Sequence, residues 1–205
     1  MTPAIMTEFL AYNFNLNTTS PLDTAIPFDI IVSDVFDIVR QSFMHDLARE
    51  GDVLSAEVIF DADGALDLPD DLGRRPLHEA AFFGQIDMVK FLLDNGAQLD
   101  APIHPFGHTA LYLAVQQSRH DVVRCLIARG AQLTVADRLT GTGLLHIAAS
   151  KGDTQMAGIL IAAGIDVFQE DKKGVTARDT AAKTGHDDLA KTLLKVMEHH
   201  ARRTP

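Results

Sequence analysis

One stretch that opens on a glycine returns along this chain at almost fixed intervals. GRRPLHEAAFFGQIDMVKFLLDNG begins at Gly73, GHTALYLAVQQSRHDVVRCLIARG at Gly107, GTGLLHIAASKGDTQMAGILIAAG at Gly141 and GVTARDTAAKTGHDDLAKTLL at Gly174. The starts lie 34, 34 and 33 residues apart. A period of that length belongs to chains that stack one small supersecondary unit on copies of itself. In the first copy, Leu77, Ala80 and Ala81 form one short apolar helical face and Val89, Leu92 and Leu93 another, with Gly84 and Gly96 where each helix must stop. Helices of about two turns are marginal alone in water. Each pair must therefore bury its face against its neighbours, and stability becomes a sum of unit and interface contributions.

At these residues the chain resembles the ankyrin repeat family. Arg75-Pro76-Leu77-His78-Glu79-Ala80-Ala81 departs from the family's leading motif only at its threonine, and Val89, Leu92, Leu93, Gly96 and Ala97 fall in register. The resemblance covers residues 73–205 closely and 41–72 loosely. It implies an all-α solenoid of helix-turn-helix units joined by β-hairpin or loop fingers. The expected organisation is an amino-terminal capping extension at 1–40, a degenerate first repeat at 41–72, repeats at 73–106, 107–140 and 141–173, and a carboxyl-terminal capping repeat with its tail at 174–205. The fingers are expected at Leu66 to Gly73, Leu99 to Gly107, Leu133 to Gly141 and Val167 to Gly174, with very short pairing strands.

Charge is unevenly spread. Residues 1–72 hold two basic and fourteen acidic residues, and residues 73–205 hold sixteen basic and fourteen acidic, which together make the formal charge of −10. Without a basic face, binding to a nucleic-acid backbone is not expected. The longest apolar run, Ala157 to Ile165, is nine residues, whereas a spanning helix needs about twenty. No secretory signal is read, since the first basic residue is Arg40. A soluble protein of the reducing cytoplasm is expected, although a signal-less export route is compatible with the same residues. The single cysteine, Cys125, excludes an internal disulfide and reads as a small core residue, because it takes the helical position of Phe91 and Ile159 in the flanking repeats.

The amino segment mixes aromatic and aliphatic residues with Asn, Thr, Ser and Pro and keeps no period, so it reads as irregular cover for the first repeat with a short helix near Ala4 to Tyr12. From Ile31 the period turns helical through Val35, Ile38, Val39, Phe43 and Leu47, and the helix should stop at Gly51. Val53 to Phe60 reads as the second helix of that repeat, closed by Asp61 to Ala65.

The leading motif varies in a consistent way. Where the family favours Thr and His three residues apart, this chain has Arg75 with His78, Thr109 with Tyr112, Gly143 with His146, and Thr176 with Asp179. A lost cap costs about 1 kcal/mol, so a stack less stable than a consensus one is expected. His78 and His146 occupy the same repeat position, which points to packing rather than to a metal or acid-base pair. Asp34, Asp37 and His45 read as a solvated helix face, and His199-His200 as part of a frayed tail. No nucleophile with its base, phosphate-cradling loop or zinc spacing is present, so neither catalysis nor a cofactor or metal is expected.

The resemblance implies that finger tips and first helices form a concave, protein-binding groove. Its positions, read by register, are Leu72, Arg74, Phe82 and Phe83; then Phe106, His108, Gln116 and Gln117; then Thr140, Thr142, Ser150 and Lys151; then Lys173, Val175, Lys183 and Thr184, with Lys172 beside them. An apolar anchor over Phe82, Phe83 and Phe106 and acidic residues reaching Lys151, Lys172, Lys173 and Lys183 describe the expected partner protein. Alternatively the amino segment folds over the two phenylalanines. A monomeric interaction module is the reading, serving as adaptor, inhibitor or regulatory partner. The alternatives are a self-associating stack and an enzyme with a site between the amino segment and the first repeat.

Overall fold

Pairs of short helices ended by glycine are what the repeat dictates, and the structure, a computed structural model that describes residues 42–63 and 66–202, is built of them. Helix α1 covers residues 42–50. It is followed by α2 (Val53–Asp63), α3 (Pro76–Phe83), α4 (Ile86–Asp94), α5 (Ala110–Gln116), α6 (His120–Ala128), α7 (Leu144–Lys151), α8 (Thr154–Ala162), α9 (Ala177–Lys183) and α10 (Asp187–Ala201). First helices pack in one row, α3 on α5, α5 on α7 and α7 on α9. Second helices form the other, α2 on α4, α4 on α6 and α6 on α8. The all-α solenoid read from the sequence is the architecture found.

The reason lies in side-chain size. Ala80, Ala81, Ala114, Ala148, Ala149 and Ala181 are all buried along the first-helix row, where a larger residue would hold neighbouring helices apart. Leu77, Leu111 and Leu145 fill one repeated position and Leu92, Leu126 and Leu160 another, each essentially inaccessible. A leucine buried to that degree contributes about 1.5–3 kcal/mol. Truncation to alanine in such a core costs about 2–5 kcal/mol.

Each first helix ends in a left-handed residue. Gly84 and Gly152 have φ of 86° and 67°, a conformation that costs an L-residue about 1–2 kcal/mol. Ser118 holds the same place in its repeat at φ 54° without being glycine.

The fingers are slighter than hairpins. Each of the last three carries a single antiparallel bridge, Ile103 with His108, Ala136 with Gly143 and Glu170 with Thr176. Aspartates shape three of the four turns. Asp70 Oδ1 accepts the N–H groups of Leu72 (3.0 Å) and Arg74 (2.8 Å), Asp137 Oδ1 those of Leu139 (2.9 Å) and Thr140 (2.8 Å), and Asp171 Oδ1 those of Lys173 (2.8 Å) and Val175 (2.9 Å). Adjacent fingers are stitched by one backbone bond each: His104 N–H to Leu72 O at 2.9 Å, Arg138 N–H to Phe106 O at 2.9 Å and Lys172 N–H to Thr140 O at 3.0 Å.

Several expectations are corrected. Cys125 is half-buried on the outer side of α6, packed on the edge of the core as Phe91 and Ile159 are, because Leu126 takes the inward position next to it. Helix α2 runs on to Asp63, so Asp61 to Asp63 do not close the first repeat. His45 is no solvated residue: it is 8% exposed, with Nε2 3.3 Å from Leu68 O. The terminal helix stays regular to Ala201. The amino extension, its helix near Ala4 to Tyr12, the stretch from Ile31 with Asp34 and Asp37, and the closing Gly64-Ala65 lie outside the described residues. Among the described residues, no helix is long and apolar enough to cross a membrane.

Candidate functional site

Helix α3 starts with Pro76, whose missing N–H is no loss at a first helical position, and it ends by delivering Phe82 and Phe83 to the edge of the first-helix row. Their rings meet edge to face, with centroids 5.1 Å apart. Phe82 is half-buried and Phe83 exposed. Together with Arg49 of α1, Arg74 of the first finger, Glu79, Ile103 and Leu113 they border a cleft of about 410 Å³.

The cleft's charges are matched inside it. The nearly buried Glu79 carboxylate lies 3.5 Å from Arg74 Nη1 and 3.7 Å from Arg49 Nε. Arg74 also binds Asp70 at 2.7 Å, and the Arg49 guanidinium pairs with Asp46 at 3.3 Å and sits 5.7 Å from the centre of the Phe83 ring. Burial alone would raise the Asp70 carboxyl, but bonds from the Arg74 side chain and backbone outweigh it and hold it below the usual range. Such a cleft suits an apolar or aromatic side chain, since a carboxylate entering it has to compete with Glu79 and Asp70 for the same guanidinium groups.

One finger further on, three rings form a stack. Phe106 and His108 have centroids 5.5 Å apart at 20°, and His108 and Tyr112 4.0 Å apart at 7°. The His108 Nε2 meets Asp137 Oδ2 at 2.8 Å. Burial would raise the Asp137 carboxyl, yet the bonds from Thr140 and His108 hold it low. Tyr112, buried beneath the stack and facing that charge, has its phenol pushed up to about 12. The exposed Phe106 ring thus rests with one face against His108.

The lysines behave differently. Lys151 Nζ donates to the Gln116 carbonyl at the end of α5, and Lys172 Nζ to Arg138 O. Both close polar groups of the preceding repeat while their charge remains at the surface. Lys173 and Lys183 are exposed. Gln116 is exposed and Gln117 half-buried as the residue after α5. Thr142 is half-buried, its hydroxyl oxygen accepting from the Thr140 hydroxyl at 2.7 Å.

The two histidines singled out by repeat position are committed to the backbone. His78 Nδ1 accepts Arg75 N–H at 2.9 Å and its Nε2–H reaches Ala101 O at 2.9 Å. His146 repeats this with Gly143 N–H at 3.3 Å and Val175 O at 2.9 Å. Burial pushes the His78 imidazole down to about 4. Among the described residues, no group of three His, Cys, Asp or Glu side chains is placed to hold a metal.

The structure brings Arg74, Phe82 and Phe83 together around one cleft, sets Leu72, Phe106 and His108 along the finger row, and spreads Gln116, Gln117, Thr142, Lys151, Lys172, Lys173 and Lys183 over the later repeats. The sequence reading missed Arg49 and Glu79, which no register marks as facing the groove. It also missed Leu139, 62% exposed, because register from Leu72 and Phe106 falls on its neighbour Thr140.

Residues 44–137 and 134–203 match a family model described as ankyrin repeats in three copies. No curated protein matches the chain.

Proposed function

The chain belongs to the ankyrin repeat family, whose repeats are in general protein–protein interaction modules, and on that premise we propose that it is a non-catalytic adaptor, inhibitor or regulatory partner. It binds another protein through the groove bordered by Leu72, Arg74, Phe82, Phe83, Phe106 and His108. The observation that carries this reading is the cleft of about 410 Å³ in which exposed and half-buried aromatic rings border charges already paired with one another. Aromatic anchors in partly desolvated surroundings dominate interface energies, and surface lysines steer the encounter. The partner supplies an apolar anchor for the cleft and acidic residues for the lysine-bearing end. The protein acts as a monomer in the cytoplasm, without cofactor, nucleic acid or membrane.

The test is affinity capture from the native host with the wild type and a Phe82→Ala, Phe83→Ala double variant. The variant is expected to lose one specific partner while its circular dichroism is unchanged. An identical set of captured proteins with both chains refutes the groove.

A further inference from the structure

Three exposed apolar side chains stand on three successive finger tips: Leu72 at 52% exposure, Phe106 at 40% and Leu139 at 62%. The central one already packs on His108, which itself stacks on Tyr112, so less side-chain freedom is left to lose when it is covered. Beyond the third tip the row turns basic, with exposed Lys172 and Lys173, while Arg138 of the third finger lays its side chain back against Gly107.

Spacing and hydrogen bonding together limit what can lie along this row. Fingers repeat with the helices beneath them, and packed helices lie about 8–10 Å apart. A polyproline-II segment has three residues per turn and rises about 3.1 Å per residue, so it shows one side chain to a given face about every 9 Å. A β-strand partner needs an open ladder edge. Here the N–H groups of His104, Arg138 and Lys172 and the carbonyls of Leu72, Phe106 and Thr140 are already consumed in stitching finger to finger. Recognition along the tips therefore runs through side chains, which is the case for a segment that has no ladder to complete.

Deepening the reading of a protein-binding groove, and resting on it, we propose that the partner contributes an extended, polyproline-II-like segment. An apolar side chain at every third residue covers Leu72, Phe106 and Leu139 in turn, and carboxylates beyond the last of them meet Lys172 and Lys173. The segment crosses four fingers and uses the phenylalanine cleft only at its edge.

A display library of random dodecapeptides, selected on the full chain, tests this. The expected result is enrichment of peptides with apolar residues at every third position followed by acidic ones. A Leu72→Ser, Leu139→Ser variant, altered only at exposed tips, should bind them about tenfold more weakly, and raising the salt should weaken them further. Enriched peptides with apolar residues at every second position, or at helical three-and-four spacing, overturn the proposal and leave the groove itself standing. No enrichment over the variant also overturns it, and the fate of the groove then rests on the capture experiment with Phe82 and Phe83.

Discussion

The helix pairs α3–α4 and α7–α8 close the start of their first helix in one way, and the pairs α5–α6 and α9–α10 in another. In the former a histidine three residues in accepts the backbone N–H at the helix entrance and donates to a carbonyl of the following finger. In the latter a threonine caps the helix: Thr109 Oγ1 accepts Tyr112 N–H at 3.4 Å and Thr176 Oγ1 accepts Asp179 N–H at 3.2 Å. The histidine type joins two layers, while the threonine type serves one helix. Ahead of α5 the joining function passes to His108, which reaches Asp137 in the next finger. The difference teaches that two orphan donors are at stake at each helix start: the histidine meets the N–H at the entrance, and the threonine meets the N–H three residues further in.

The contrast predicts unequal costs. His78→Ala removes two hydrogen bonds and empties a buried site, and should lower stability by about 3 kcal/mol in urea denaturation. Thr109→Ala should cost about 1 kcal/mol. Equal losses would erase the distinction between the two kinds of repeat.

Acid should strike the repeat that carries His78 as well. Unfolded, His78 takes up its proton near pH 6.5, and folded only near pH 4. Its contribution is therefore complete above pH 6.5 and drains away as pH falls toward 4, with about 2 kcal/mol gone by about pH 5. Denaturation midpoints of wild type and His78→Gln between about pH 7 and pH 5 measure this, and the variant should lose less over that window.

The smallest effect sharpens the comparison by adding one device to the other. Gly143→Thr supplies the missing cap beside His146 at a backbone φ of −87° that threonine accepts. Its new Cβ would stand 2.5 Å from Gln169 Oε1, so that side-chain end must swing aside. A gain of somewhat under 1 kcal/mol in thermal melting is expected, and an unchanged midpoint would mean that the His146 N–H gains nothing from a side-chain cap.

Much of this could be read from residues alone, and the limits have physical causes. Leu77, Ala80, Val89 and Leu92 showed which faces are buried, because helical periodicity reports burial directly. Register carried Phe82, Phe83, Phe106 and Arg74 onto the finger and first-helix edge for the same reason. Glu79 was invisible as a cleft residue because it lies within the leading motif, and only the approach of Arg49 from the layer before makes it part of a surface. Leu139 was lost because register from Phe106 falls on the adjacent Thr140, and exposure at a tip follows the local turn rather than the repeat count. Cys125 shows that sharing a column with Phe91 and Ile159 fixes a place in the unit but not a depth.

One arrangement recurs behind the first helices. Gln85 donates to Arg49 O at 2.9 Å, Arg119 to Phe82 O at 3.1 Å, and Lys151 to Gln116 O. In every case the donor belongs to the later unit and the acceptor to the earlier one. A polypeptide leaving the ribosome amino end first thus completes each helix only when the next has emerged, so growth of this protein is directional, and a nascent chain halted between units carries an unlatched end.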